Sequence, residues 1–508
     1  MKYLTIAILN LPSPPGMDVY RDTAGAYGTA QYVLRKDYGH SSNVFLPTFI
    51  PYLATNLLRN GYQIKVLDGQ AERLTLASFV AWVERENPAV AIAILSLPSI
   101  WGDCHVLAEA KKTLPKTIFI GIGPVCAPLA DEILEKSGVD LLVKGEYPFY
   151  HTPILTFLKS LEKHSLHHAT EIPGVIFTYK NKSQSQIVNT PPAKTHADGS
   201  LNDLDLEVYY KLPISKYKIE AMGLRGKRTN YFPILGGKGC PYCCTYCPYP
   251  VGYGTRLVLK SPAKVVDEMH FLRENFAIKA FIFRDQLFTA SSSRVTRICD
   301  LITEKNLDVN WLVEARIDEV SQPMLRRMRE AGCIRIQYGV ETGDSALLEQ
   351  VGKPGLVIKT IREGFENTVR EGIFAVAFIL LGLPGESRAA IRKTFDLVMR
   401  LNCDNILCSV VTPYPGTEMF AAAREKQLIL TYDWRRYTSR HIVMRTEELT
   451  GKELAKMRAI FMMSFRAKQL FRILRNARSQ NGGTLSWRGA FYRLRMAGEH
   501  VYGRVFSS

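Results

Sequence analysis

The sequence lacks the features that mark membrane-spanning and secreted proteins. Its longest nearly unbroken apolar run, Ile373 to Pro384, is too short to cross a bilayer, which takes about 20 residues. The first residues lead directly into a strand-like segment and show no signal-peptide pattern. Four of the ten cysteines fall close together and the other six are scattered, unlike a secreted disulfide framework. These absences predict a cytoplasmic protein with a metal or cluster site.

Two binding signatures are also missing. The first strand is followed by Asn10-Leu11-Pro12-Ser13-Pro14 where a dinucleotide-binding domain has G-x-G-x-x-G. No second C-x2-C follows the cysteine cluster, and the nearest downstream histidine is His270. The sequence therefore argues against a dinucleotide site and against a structural zinc ribbon, which needs a second ligand pair.

Basic residues exceed acidic ones, 65 to 48, and the excess is concentrated at the end of the chain. Residues 451–508 contain 12 Lys or Arg and 2 Asp or Glu, so they carry +10 of the formal +17. Apolar residues recur among these charges at Met457, Phe461, Phe465 and Ile473, which predicts a basic amphipathic helix. Such a helix can pack on a domain and leave its charges in water, or it can contact an anionic membrane surface.

A length of 508 residues predicts two or three domains. Residues 1–165 alternate short β-branched runs with helical patterns, as in a doubly wound, Rossmann-like parallel sheet. The predicted strands are Leu4 to Leu11, Gln63 to Leu67, Val90 to Leu97, Thr117 to Ile122 and Val139 to Val143. Ligands of such a sheet bind beyond the carboxyl ends of its strands, where this chain has small or turn residues.

The rest of the chain predicts a second α/β domain. Residues 166–225 are polar and irregular and are interpreted as a connector. Six strand-helix units within residues 226–430 predict a partial (β/α)6 barrel with its site at the carboxyl ends of the strands. Residues 431–508 are interpreted as a basic helical C-terminal region. The predicted barrel strands are Tyr231 to Leu235, Ala280 to Phe283, Trp311 to Glu314, Ile334 to Gly339, Ala375 to Leu381 and Ile406 to Thr412.

A cysteine cluster follows the first barrel strand. Cys240, Cys244 and Cys247 are spaced C-x3-C-x2-C, so one loop can hold a four-iron four-sulfur cluster and leave the fourth iron without a protein ligand. An open iron can bind a substrate. The alternatives are a zinc site or a packed set of free thiols. Cys243 also stands C-x3-C from Cys247, and we expect it not to be a ligand.

The cluster motif after a strand resembles the radical S-adenosylmethionine (SAM) superfamily, in which the amino and carboxylate groups of SAM chelate the open iron. Three later strand ends resemble the branch whose members often carry an N-terminal cobalamin-binding domain. They are Gly339 to Gly343, Gly382 to Glu386 and Pro413 to Thr417. The resemblance implies an N-terminal cobalamin-binding domain, a radical SAM barrel, and three cofactors: a 4Fe-4S cluster, SAM and cobalamin.

The resemblance also implies which residues contact SAM. They are Tyr246, Glu314, Arg316, Glu341, Gly382 and Pro384. Glu314 and Arg316 can instead belong to a buried structural ion pair, and the glycines can serve turn geometry alone. Asp285 occupies a place where many superfamily members have a glycine-rich motif that contacts the SAM amine, so this chain departs from the family there.

For cobalamin, the resemblance points to the loops at the carboxyl edge of the first sheet. The expected residues are Asp68, Ser96, Ser99, Trp101, Gly121, Gly123, Gly145 and Glu146. An Asp-x-His-x-x-Gly loop is absent, which implies a corrinoid without that axial histidine. Trp101 or His105 can lie under the cobalt, or they can be a packed tryptophan and a surface histidine.

The resemblance implies an enzyme that cleaves SAM to a 5′-deoxyadenosyl radical and, most plausibly, methylates an unactivated carbon. Its partners would be a small-molecule or lipid-like substrate and an electron donor of the flavodoxin or ferredoxin type. Ring formation or rearrangement without methyl transfer, RNA modification, and a catalytically idle corrinoid sensor are the alternatives. Nucleic acid is not an expected partner, because no compact module with interleaved aromatics is recognisable. Further catalytic residues are not marked by the sequence.

Overall fold

The computed structural model describes residues 4–32, 43–162, 170–180, 185–193, 201–222 and 228–479. The strands of the first domain are β1 (Thr5–Asn10), β2 (Met17–Tyr20), β3 (Thr29–Tyr32), β4 (Gln63–Asp68), β5 (Val90–Ile94), β6 (Ile118–Ile122), β7 (Leu141–Val143), β8 (Val175–Lys180) and β9 (Ser185–Asn189). Its helices are α1 (Phe49–Arg59), α2 (Leu76–Glu86), α3 (Ile100–Thr113), α4 (Ala130–Lys136) and α5 (His151–Glu162).

The first domain is a seven-stranded sheet in the order β4-β1-β5-β6-β7-β8-β9. The first five of these strands are parallel, and β8 and β9 add an antiparallel hairpin from within residues 166–225. Successive residues of a strand face opposite sides, so Ile6 and Ile8 pack with α1, whereas Ala7 and Leu9 pack with α2 and α3. Helices on both faces make this a doubly wound domain with its loops at one edge.

The second domain follows the same alternation. Its strands are β10 (Ile219–Met222), β11 (Arg228–Ile234), β12 (Gly237–Lys238), β13 (Val258–Leu259), β14 (Ala280–Phe283), β15 (Asn310–Ala315), β16 (Cys333–Glu341), β17 (Phe374–Leu381) and β18 (Asn405–Val410). Its helices are α6 (Tyr249–Tyr253), α7 (Pro262–Phe276), α8 (Ser292–Glu304), α9 (Gln322–Glu330), α10 (Ser345–Gln350), α11 (Ile358–Arg370), α12 (Arg388–Arg400), α13 (Glu418–Glu425) and α14 (Gly451–Ser479).

Six parallel strands, β11-β14-β15-β16-β17-β18, form a curled half-barrel, and β10 extends it antiparallel to β11. Within the described residues, β18 pairs with no further strand on its outer side, so the barrel is open there. The predicted fold class is confirmed: a doubly wound first domain, a partial barrel and a helical C-terminal region.

Serine caps explain where several barrel helices begin. The side chains of Ser261, Ser321 and Ser387 each accept a hydrogen bond from a backbone N–H in the first turn of α7, α9 and α12. Such a cap satisfies an N–H group that the helix itself leaves unpaired. The serine caps therefore define the residue at which each of these helices begins.

Helix α14 packs along the open edge of the barrel. Leu454, Phe461 and Phe465 are buried in the core, and Arg458 Nε donates to the Cys408 carbonyl of β18 at 3.0 Å. The predicted amphipathic helix thus exists and one of its faces packs on the barrel; residues 480–508 of the basic tail lie outside the described part. No helix in the described ranges has the length and apolar character to cross a membrane.

Candidate active site

The three predicted cluster ligands lie on one loop between β12 and α6. The Cys240 N–H donates to the Gly254 carbonyl at 3.2 Å, and the Cys247 N–H donates to the Cys244 carbonyl at 3.0 Å. Gly239, at φ +82°, precedes them, and a Cβ there would overlap the backbone of Arg256. The loop therefore folds tightly because its backbone bonds to itself and because glycine stands at its entry.

The loop holds four free thiols in two environments. Cys240, Cys244 and Cys247 are partly buried, whereas Cys243 is exposed. Burial raises the pKa of the first three thiols, so without a bound cation they are neutral. Three thiols on one loop are the donor set that a four-iron cluster uses, in which each thiolate binds a different iron.

Glu341 occupies a strained position at the end of β16. Its φ is +63°, in the left-handed region, and the register between β16 and β17 shifts at Gly339 and Glu341. A non-glycine residue in this region costs roughly 1–3 kcal/mol, which neighbouring contacts must offset. Such strain commonly marks a functional position, so it supports the role that the family resemblance gives to Glu341.

Lys353 offsets part of this cost. Its Nζ lies 2.6 Å from Glu341 Oε1 and donates to the Gly339 carbonyl at 3.1 Å, and both charged side chains are buried. A side chain at Gly339 would collide with this pair. Tyr246 also donates to the Glu341 carboxylate, and burial raises the pKa of its hydroxyl well above the ordinary value. Sequence reasoning missed Lys353; a lysine in the Gly352–Gly355 turn after this strand was its only signal.

The other expected SAM residues lie at neighbouring strand ends. Gln337 Nε2 donates to Glu314 Oε1 at 3.5 Å, and burial raises the pKa of Glu314. Arg316 forms an ion pair with Asp318 at 2.6 Å, and its guanidinium lies 3.9 Å from the centre of the Tyr242 ring. Arg316 is thus partly engaged in a structural ion pair, as the alternative interpretation allowed.

Gly382 and Pro384 form the turn after β17. Gly382 has φ +86°, and its N–H donates to Glu386 Oε2 at 2.6 Å. The Pro384 carbonyl accepts a hydrogen bond from Gln350 at 3.4 Å. Glu386 is completely buried, and burial raises its pKa to about 7.

The concave face of the barrel is polar on one side and apolar on the other. Paired residues of parallel strands point to the same face, so Gln337 shares its face with Val376, and Phe378 shares its face with Leu407. Polar side chains stand on β14 to β16: Arg284 just past β14, Glu314, Arg335 and Gln337. Apolar and partly exposed side chains stand on β17 and β18: Phe378, Leu380 and Leu407.

Asp22 brings the first domain into this site. It lies between β2 and β3, completely buried, and its carboxylate is 3.6 Å from Arg284 Nε. Neither carboxylate oxygen of Asp22 has a hydrogen-bond partner among the described residues. Burial raises the pKa of Asp22, and Arg284 opposes that rise. The family resemblance had not pointed to this pair.

The two domains are also joined at the cluster loop. Lys238 Nζ, which is almost fully buried, pairs with the Glu146 carboxylate and donates to the Tyr253 carbonyl at 3.1 Å. The Tyr147 N–H donates to the Gly252 carbonyl at 2.7 Å. The loop after β7, expected to hold cobalamin through Gly145 and Glu146, therefore also contacts the loop that carries the cysteines.

Ser96 and Ser99 are engaged within the first domain. Arg21 Nη1 donates to both hydroxyls, at 2.8 and 3.0 Å, and pairs with Asp103 at 2.7 Å. Arg21 and Asp103 are completely buried, and burial raises the pKa of Asp103. Arg21 and Asp103 thus hold the loop after β5 in place. Because the hydroxyl groups of Ser96 and Ser99 are already hydrogen-bonded, a ligand would contact the backbone of this loop.

Asp68 is likewise tied to its neighbours. It accepts hydrogen bonds from Asn10 Nδ2 at 2.8 Å and from the Tyr217 hydroxyl at 3.0 Å, and burial raises its pKa to about 6. Trp101 lies against Lys136, whose Nζ is 4.5 Å from the ring centre, and His105 is exposed. The assignment of these residues to cobalamin stays a prediction.

Glycines at the same edge serve packing inside the first domain. Gly123 has φ +126°, and a Cβ there would meet the Leu95 carbonyl; a Cβ at Gly121 would meet Leu142. A Cβ at Gly145 would meet the Tyr150 ring. Each of these positions therefore needs glycine for the protein's own contacts, and their assignment to cobalamin stays a prediction.

Removal of single thiols tests the cluster loop. Anaerobic reconstitution of Cys240→Ala, Cys244→Ala or Cys247→Ala should give almost no bound iron, because two thiolates do not hold a cubane stably. Cys243→Ala is the matched control and should load about one cluster per chain, as the wild type should. Iron analysis and the visible absorption spectrum measure the outcome. Equal loss in all four variants would refute the ligand assignment.

The raised pKa of Glu386 predicts a pH-dependent stability. Because the folded-state pKa of about 7 lies above the usual 4.5, the folded chain binds the proton more tightly, and stability falls as the pH rises through this window. Glu386→Gln is uncharged throughout, so relative to the wild type it should gain up to about 3 kcal/mol between about pH 4.5 and about pH 8. Thermal unfolding of both proteins across this pH range measures the difference in stability. A difference in Tm that does not change with pH would contradict the raised pKa of Glu386.

Comparison with known proteins agrees with this geometry. Residues 234–398 match the Radical SAM superfamily. A protein of Pyrococcus horikoshii named as an uncharacterized methyltransferase is 25% identical over 422 residues, which cover 82% of this chain and 87% of that protein. The anaerobic magnesium-protoporphyrin IX monomethyl ester cyclase of Cereibacter sphaeroides is 23% identical over 415 residues, which cover 80% of this chain and 65% of the cyclase.

Two solved structures share the whole architecture. The radical S-adenosylmethionine methyltransferase TsrM from Kitasatospora setae, with cobalamin and a 4Fe-4S cluster bound, superposes with a TM-score of 0.66 at 16% identity, over 98% of this chain and 100% of TsrM. The cobalamin-dependent S-adenosylmethionine radical enzyme OxsB superposes with a TM-score of 0.70 at 13% identity, over 98% of this chain and 71% of OxsB. The chain therefore contains a radical SAM domain, and its fold is that of TsrM and OxsB.

Proposed function

We propose that this chain is a cobalamin-dependent radical SAM methyltransferase that methylates an unactivated carbon of a small or lipid-like substrate. One observation carries the proposal: the three-cysteine loop of the radical SAM domain lies against the carboxyl edge of the first sheet, joined to it by the Lys238–Glu146 pair. The similar structures support it, because TsrM was solved with cobalamin and a 4Fe-4S cluster and OxsB with aqua-cobalamin and SAM.

When bound, the cluster and SAM supply radical chemistry and the corrinoid supplies a methyl group. The chain's own residues bind these groups and orient them. Cys240, Cys244 and Cys247 hold the cluster on a loop that its backbone hydrogen bonds fix. Positions fixed in this way lower the entropic cost of bringing reactants together.

Glu341 is the residue that we assign to SAM. Lys353 pairs with its carboxylate in a buried place, where a charge without a partner would be costly. The carboxylate can then accept a hydrogen bond from the SAM ammonium or ribose. Glu314, Arg316 and the Gly382–Pro384 turn lie at adjacent strand ends and complete the proposed SAM site.

The corrinoid would lie on the loops after β5, β6 and β7. The loops that carry Gly121, Gly123 and Gly145 would hold it, and the buried Arg21–Asp103 pair holds the Ser96–Ser99 loop in shape. The sequence has no histidine of the Asp-x-His-x-x-Gly type that would ligate cobalt.

The barrel lumen supports an amphipathic substrate. Its polar side carries Arg284 and Glu314, and its apolar side carries Phe378 and Leu407 next to the open edge. A substrate with a polar end and a hydrocarbon end would match both sides. We therefore favour a lipid-like molecule within the proposed class.

Ring formation is the rival function, because one similar protein is named as a cyclase. It would use the same site without transferring a methyl group. The electron donor that we propose is a flavodoxin or ferredoxin, and the proposed location is the cytoplasm, with peripheral membrane contact.

Changes at the buried pair test the SAM site. Glu341→Gln and Lys353→Met should retain the cluster, because neither residue is a thiolate, and should weaken SAM binding by roughly 10- to 100-fold through the loss of a charge-assisted hydrogen bond or of its counter-ion. Equilibrium dialysis with labelled SAM on the reconstituted protein measures it. Lys393→Met, which removes an exposed lysine paired with Asp344, is the control. Unchanged affinity in both variants would exclude the proposed role.

Isotopic labelling tests the reaction. With reductant, hydroxocobalamin and SAM carrying a deuterated methyl group, the reconstituted enzyme should release 5′-deoxyadenosine and S-adenosylhomocysteine, and substrate-containing extract should gain a deuterated methyl group. The Cys244→Ala variant is the control and should form neither nucleoside. Production of 5′-deoxyadenosine with an unlabelled product would favour the cyclase; production of neither nucleoside by the wild type would contradict the proposal.

A further inference from the structure

Helix α14 has a second face whose apolar side chains are exposed. Ile460, Met463 and Phe471 are 43%, 55% and 73% exposed, and Ala467 between them is exposed too. Steps of three and four residues place these four side chains on one side of the helix, opposite Phe461 and Phe465. We call these four residues the outer stripe.

The outer stripe is embedded in positive charge. From residue 454 to residue 479 the sequence has seven Lys or Arg and no Asp or Glu. Lys452 and Lys456 are exposed at the start of the same side of the helix. Glu453, which stands between these two lysines, is already paired with Arg388. An apolar stripe flanked by an excess of cations matches a lipid surface, whose headgroups are anionic and whose interior is apolar.

The charged side chains on the barrel-facing side of α14 already bond to the barrel, which distinguishes this side from the outer stripe. Lys468 Nζ donates to the carbonyls of Val398 and Leu401 at 3.1 and 2.6 Å, and Arg472 pairs with Asp404 at 2.9 Å. The helix is therefore anchored to the barrel by one side. Packing on the barrel and contact with a membrane are compatible, because they use opposite sides.

We propose that the outer stripe docks this protein on an anionic lipid surface. Ile460, Met463 and Phe471 enter the boundary between headgroups and acyl chains, and Lys452 and Lys456 contact lipid phosphates. The helix runs beside β18, where Leu407 is exposed at the open edge of the barrel. If the proposed function holds, docking brings this edge to the source of a lipid-like substrate; the docking itself requires no chemistry.

Vesicle co-sedimentation of the full chain tests the proposal. The wild type should sediment at low salt with vesicles of phosphatidylglycerol and phosphatidylcholine, and much less at high salt or with phosphatidylcholine alone. Met463→Ser combined with Phe471→Ser should lower the partition coefficient at least about tenfold, because two apolar side chains no longer leave water. Lys452→Gln combined with Lys456→Gln should lower it about fivefold per lysine at low salt.

Matched controls isolate the outer stripe. Ile187 and Val357 are 42% and 50% exposed elsewhere, so Ile187→Ser combined with Val357→Ser should sediment as the wild type does. No sedimentation of the wild type at low salt, or equal sedimentation of the Met463→Ser, Phe471→Ser variant, would overturn the proposal. A wild-type dimer that this variant converts to a monomer would also overturn it, in favour of a second copy. A chain that sediments but never forms 5′-deoxyadenosine would refute the proposed function and leave the docking intact.

Discussion

The architecture depends on charges that each domain buries against the other. Lys238, beside the cluster loop, forms an ion pair with Glu146 of the first domain. Asp22 of the first domain forms an ion pair with Arg284 of the barrel. A buried charge without its partner costs several kcal/mol, so shifting one domain against the other while they stay in contact would be unfavourable. Apolar contacts have no preferred direction, so on their own they would allow the two domains to shift against each other. The paired charges fix their register, and with it the distance between the cysteine loop and the carboxyl edge of the first sheet.

A third ion pair lies at a strained backbone position, where we propose that SAM binds. Glu341 adopts a left-handed backbone conformation at a register shift, and the Lys353 ammonium holds its carboxylate. Burying this pair costs folding stability, and it places a charged hydrogen-bond acceptor at a position that excludes water. Such an acceptor interacts more strongly with a bound ammonium or hydroxyl than an exposed one would. This geometry thus favours the proposed binding of SAM at the expense of the stability of the unliganded protein.

The sequence predicted the features that repeat locally and missed those that arise between distant residues. Period-two and helical patterns located the parallel strands of both sheets, and the spacing of Cys240, Cys244 and Cys247 identified the loop. Lys353 and the partners of Asp22 and Arg21 were missed, because the paired residues stand 12, 262 and 82 residues apart and no local pattern marks the pairs. Ser96 and Asp68 were expected to face a cofactor; the structure shows their side chains bonded to the protein, which single-sequence reasoning could not foresee.

The proposed function requires a corrinoid on the loops of the first domain, and the sequence has no Asp-x-His-x-x-Gly histidine to ligate its cobalt. Anaerobic titration of the reconstituted chain with hydroxocobalamin, followed by reduction and electron paramagnetic resonance, tests this most directly. The account predicts about one bound corrinoid per chain, and a cobalt signal with no nitrogen hyperfine splitting that is unchanged in His105→Ala. A chain that loads its iron-sulfur cluster but neither shifts the corrinoid spectrum nor co-elutes with it would contradict the account.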